Sequence, residues 1–184
     1  MRKVAVAAAW SIFAIISVTL IVLFIPFIGF GGKSYTAVCA DAARMYGLDI
    51  SDYKITFQST VKDVHGESVE GLFQIQNTKQ SIIIDENWSR PMVIATIFHE
   101  FAHAAQYRYK LDMGKYTIEQ HAEILSFYMM WNSSYHWDAV HMITEHLLGK
   151  PPEYRATGDL LKIFFTDKIQ ASHTFDLDIS HANS

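Results

Sequence analysis

The sequence predicts an α+β domain, a small sheet with helices packed on one face, preceded by one N-terminal transmembrane helix. Three observations carry this reading. An uncharged apolar run fills residues 4–30. One short helical pattern is then followed by segments of period-two alternation. From Ser89 onward the spacing becomes helical, with capping signals at the starts. Strands grouped before a run of helices belong to α+β architecture rather than to alternating units of a parallel sheet.

Arg2 and Lys3 precede the apolar run, which Ser11, Ser17, Thr19, Pro26 and Gly29 interrupt without adding charge. Roughly 20 apolar residues in a helix cross a bilayer core, so this run spans one with some tilt. A cleaved signal peptide is the competing reading, since Gly29 and Gly31 are small residues at a cleavage spacing. Its apolar region is usually only about 7–15 residues long, and the greater length here favours an uncleaved anchor over residues 1–32. Apolarity on all sides at this length also suits lipid better than a protein core. The basic pair before the span, against Lys33 alone closely after it, favours an N-terminus inside and residues 33–184 on the extracytoplasmic side.

Removing Arg2 and Lys3 from the 15 basic residues leaves 13 against 19 acidic ones, a net charge of −6 from Lys33 onward. No basic stripe is present, which argues against a nucleic-acid partner. Cys39 is the sole cysteine. It cannot form an intrachain disulfide and reads as a small buried apolar residue on the first helix.

Ser34–Tyr46 is predicted helical, with Tyr35, Val38, Ala42 and Met45 at three-to-four spacing and Gly47 as its stop. Tyr53–Thr60 alternates as a strand. The polar stretch Lys62–Glu70, with Gly66, predicts a loop. Leu72–Gln76 and Ser81–Asp85 predict a hairpin around Asn77-Thr78-Lys79. Ser89 as cap and Pro91 in the first turn open an amphipathic helix running to Tyr109. Gly114 ends the connection, and Thr117 with Gln120 forms a capping-box signature for a helix over Ile118–Trp131. Further helices are predicted over Trp137–Leu148 and Gly158–Lys168, followed by a loose polar end.

His99-Glu100-Phe101-Ala102-His103 carries the chemistry. Positions i and i+4 of a helix share one face, so both imidazoles can reach one ion at about 2.0–2.1 Å. Glu100, one position on, can reach a water beside the metal without ligating the metal, as a general base must. A five-residue HExxH string also occurs by chance. Three features separate this one: the helix carrying it, the hairpin before it and the carboxylate-bearing helix after it. His₂Glu is an established ligand set for catalytic zinc, and Glu119, sixteen residues after His103, supplies the preferred third ligand. Glu123, one turn further on, can accept a hydrogen bond from the outer ring nitrogen of a ligand histidine. The plainer readings are a first-turn carboxylate favoured by the helix dipole for Glu119 and an exposed helix-former for Glu123. His121 and Glu123 compete as the third ligand, behind Glu119.

TIFHEFAHAAQY followed by EQHAE resembles the gluzincin metallopeptidases, which combine HExxH with a downstream ExxxD-type motif. Size and element order are similar to the small ImmA/IrrE-type peptidases, and the resemblance covers about residues 70–131. It implies a zincin-like sheet and one Zn²⁺ per chain, held by His99, His103 and Glu119. It also implies Glu100 as base and Glu123 in support of a ligand histidine. Here Glu123 stands where the family more often has Asp or Asn, and His121 lies between the two acids. The resemblance further implies a peptide substrate pairing with a sheet edge, either Ser81–Asp85 or Leu72–Gln76.

The expected function is therefore zinc-dependent peptide-bond hydrolysis on a peptide or protein substrate by a membrane-anchored enzyme. The alternative is a catalytically inactive, membrane-anchored binding module on the same scaffold. Such a module has no need of Glu100, for which the sequence suggests no structural task. A purely structural zinc is disfavoured because such sites usually have four protein ligands, often rich in Cys. His136, His141, His146, Tyr154 and Arg155 are weaker candidates for steadying an oxyanion. Phe127, Tyr128, Trp131, Tyr135 and Trp137 read as core.

Overall fold

The computed structural model describes residues 32–76 and 79–148. The predicted membrane span, the turn residues Asn77 and Thr78, the predicted helix over Gly158–Lys168 and the polar end lie outside the described residues. Among the described residues, no helix is long and apolar enough to cross a membrane.

The described chain is α+β. Ser34 caps helix α1, Tyr35–Met45, by accepting a hydrogen bond from the Ala37 N–H. Val38, Cys39, Ala42 and Ala43 form its buried face, and burial pushes the Cys39 thiol pKa up to about 12, leaving it unreactive. Tyr46 is fully buried and donates its hydroxyl to the Phe98 carbonyl at 3.1 Å, which satisfies its polar end. Gly47, at φ 67°, turns the chain. A 3₁₀ turn over Ile50–Asp52, capped by Asp49, leads into the sheet.

Strand β1, Tyr53–Gln58, stops two residues short of the predicted end. A short antiparallel ribbon of β2, Val61–Lys62, and β3, Ser68–Val69, takes in most of the segment predicted to be a loop. It closes through Asp63, whose carboxylate accepts from the His65 and Glu67 N–H groups, with Gly66 at φ 85°. An aspartate turn of this kind draws on polar residues, so a polarity pattern reads it as plain loop. Strands β4, Gly71–Gln76, and β5, Lys79–Asp85, form the predicted antiparallel hairpin. β1 adds to β5 in parallel, Ile55 opposite Ile82 and Phe57 opposite Ile84. The order β1-β5-β4 puts β5 in the centre, where Ile82 and Ile84 are fully buried, and leaves β4 at an edge.

Helix α2, Arg90–Tyr109, carries Pro91 in its first turn. Ser89 occupies the cap position but its side chain makes no cap hydrogen bond, contrary to expectation. Helix α3 is Ile118–Trp131 and α4 is His136–Leu148. α2 packs on β4 and β5 on one side and on α1, α3 and α4 on the others. Thirteen of its residues are buried, too many for the one-sided amphipathic helix the sequence predicts. Ala95, Ala102, Ala104 and Ala105 account for the difference, because their short side chains let neighbours approach on several faces. α3 begins with a complete capping box: Thr117 Oγ1 accepts from the Gln120 N–H, and Gln120 Oε1 accepts from the Thr117 N–H, both at 3.2 Å.

Thr117→Ala removes one half of that box and should cost about 1 kcal/mol. Equilibrium urea unfolding measures it, and an unchanged midpoint would show that the box does not hold the start of α3.

Candidate metal centre

One turn of α2 and the first turn of α3 bring three side chains to a point. His99 and His103 sit one above the other on α2, with their Nε2 atoms 3.0 Å apart. Glu119 reaches them from α3. Its Oε2 lies 3.2 Å from His99 Nε2 and 3.4 Å from His103 Nε2. These three residues can hold a metal ion. Two imidazole nitrogens and a carboxylate oxygen this close require a proton or a cation among them. A tetrahedral ion with bonds of about 2.0–2.1 Å spaces its ligand atoms about 3.3 Å apart, close to the separations seen here. The two imidazoles, His103 first, hold the Glu119 carboxyl well below the usual carboxylate range.

Glu123 and His121 have separate places. Glu123 is buried on α3, not exposed, and its Oε1 faces His99 Nδ1 at 3.9 Å. That is an electrostatic contact, longer than a hydrogen bond. His121 lies outside the ligand triangle. Its Nδ1 faces Gln106 Nε2 at 2.9 Å, and burial lowers its pKa. Gln106, on α2, is the residue the sequence reading missed. Its Oε1 lies 2.8 Å from His103 Nδ1, and its Nε2 donates to the Ile118 carbonyl at 3.0 Å. The available signal was its i+3 spacing from His103, which puts both on one helix face.

Glu100 is buried beside the triangle, and burial raises its pKa while the two imidazoles oppose the shift. β4 approaches it closely at Gly71. A Cβ there would lie 2.8 Å from Glu100 Oε1 and 2.5 Å from Thr96 Cγ2.

The triangle and Glu100 open onto a cleft of about 1080 Å³ between β4, α2 and the start of α3. Trp88, Tyr107 and Ile118 line it and are about half exposed. His136 and His141 do not line this cleft, and the side chains of His146, Tyr154 and Arg155 lie outside the described residues. No protein-family model matches the chain, no curated protein is significantly similar to it in sequence, and no solved structure is significantly similar to it in fold.

Gly71→Ala forces β4 and Glu100 apart. The expected loss of stability is about 1–3 kcal/mol, the usual range for overpacking. Thermal and denaturant unfolding test it, and a variant as stable as wild type would mean that β4 does not press on Glu100.

Proposed function

We propose that residues 33–184 form a zinc metallopeptidase domain of gluzincin type with a zincin-like fold. In this reading it hydrolyses peptide bonds in peptide or protein substrates and is tethered to a membrane through residues 1–32. The observation that carries the proposal is the meeting, in one cleft, of a His₂Glu triangle, a buried carboxylate and a strand edge.

The donor set fits zinc, which takes two imidazoles and a carboxylate in catalytic sites and leaves a position for water. When bound, zinc supplies Lewis-acid polarisation of a carbonyl and acidification of water. Glu100 is the base. Its burial favours accepting a proton, and β4 packs closely against the carboxylate at Gly71. Having taken a proton from water, the same carboxylic acid returns it to the leaving amine. Glu123 steadies the His99 ring from the side away from the triangle. β4 offers main-chain groups to an extended peptide, and the exposed Trp88, Tyr107 and Ile118 provide apolar surface for its side chains.

Purified protein should carry about one zinc per chain, and His99→Ala or His103→Ala should lose it. Glu100→Gln keeps the size of the side chain and one carbonyl oxygen, so zinc content and folding should persist while hydrolysis of an unfolded protein falls by roughly 10²–10⁴-fold. Full zinc occupancy in both histidine variants refutes the site. Equal cleavage by wild type and Glu100→Gln refutes the base, and wild-type protein that binds zinc but cleaves no peptide points to the binding module instead.

The proposed orientation has its own check. Protease added outside an intact inner membrane should digest the domain, and protection until that membrane is broken would reverse the topology.

A further inference from the structure

We infer that Gln106 is a positioning residue that selects the Nδ1–H tautomer of His103 and so turns a bare Nε2 lone pair toward the His99–Glu119 pair. The inference rests on the metal-site reading and adds to it a residue outside the HExxH string.

The selection follows from which atoms can donate. A main-chain carbonyl only accepts, so the Ile118 oxygen, 3.0 Å away, must face the NH₂ end of the Gln106 amide. The second N–H of that end goes to His121 Nδ1 at 2.9 Å. The carbonyl end is thereby turned to His103 Nδ1 at 2.8 Å, and because it only accepts, Nδ1 must carry the hydrogen. In a neutral imidazole the other nitrogen is then a lone pair. That atom, Nε2, is the one 3.0 Å from His99 Nε2 and 3.4 Å from Glu119 Oε2. Rotating the amide by half a turn would set acceptor against acceptor at Ile118 and leave the opposite tautomer at His103. Gln106 is 7% exposed, so water does not offer a substitute partner.

Ile118 immediately precedes Glu119. The same docked end of α3 therefore delivers one ligand and sets the tautomer of another. Without Gln106, His103 should drift toward the Nε2–H form that free histidine side chains favour, which blocks the ligating nitrogen.

The test uses metal-free full-length protein labelled with ¹⁵N in its histidine rings, at a pH where His103 is neutral. Two-bond proton–nitrogen correlation spectra report the tautomer, and competition with a chelator reports zinc affinity. Wild-type His103 should be protonated at Nδ1. Gln106→Leu should shift it toward Nε2–H and weaken zinc binding about 10–100-fold. Gln106→Glu still presents an acceptor to Nδ1, although as a carboxylate it offers no donor to Ile118, and should keep the hydrogen on Nδ1. An Nε2–H form in wild type overturns the inference, as does an unchanged tautomer in a folded Gln106→Leu protein. If that variant does not fold, the wild-type and Gln106→Glu spectra decide, and a ring without the Nδ1 hydrogen in either is fatal. Absence of zinc binding with the wild-type tautomer as stated removes the metallopeptidase reading and leaves the role of Gln106 standing.

Discussion

Helix α2 lies between the sheet and three other helices, so a polar side chain on it has little bulk water to turn to. An unsatisfied buried polar group costs roughly 1–3 kcal/mol, more if charged. Two groups on α2 are met by neighbours distant in sequence. Tyr46 after α1 donates to the Phe98 carbonyl, and the Ile118 carbonyl at the start of α3 accepts from Gln106. β4 packs against Glu100 at Gly71. The cluster is therefore held by the tertiary structure as a whole. Moving the first turn of α3 would strand a buried polar atom as well as distort the site.

Glu100 and Glu119 show how one residue type acquires two characters. Glu100 is buried against β4, and the loss of solvent raises its pKa. Glu119 is partly exposed and faces two imidazoles that hold its pKa well down. A group that more readily takes a proton and a group that stays ionised stand beside the same histidines. Environments that drive two carboxyl groups apart in this way are a recurrent basis for assigning separate acid–base and ligand roles.

Local sequence rules reach far into this domain because its elements begin and end on local signals. The Ser34 cap, the capping box of Thr117 and Gln120, and the alternation of β4 and β5 are all contained within a few residues. The convergence of His99 with His103 follows from helical period alone, whereas Glu119 needed a guess about how far the connection turns back. What stayed hidden involves partners distant in sequence. The parallel pairing of β1 with β5, the close approach of Gly71 to Glu100 and the contact of Gln106 with Ile118 leave no periodic trace. The breadth of α2 burial was missed for a related reason. Alanine marks a close approach from any side, and hydropathy spacing does not say from which.

β4 is a six-residue edge strand and has β5 as its only strand neighbour among the described residues. An unpaired strand edge is a template on which chains can stack and aggregate. β4 borders the cleft that holds the histidines. The same open edge that would let an extended peptide lie along the site therefore also exposes the strand to a second chain.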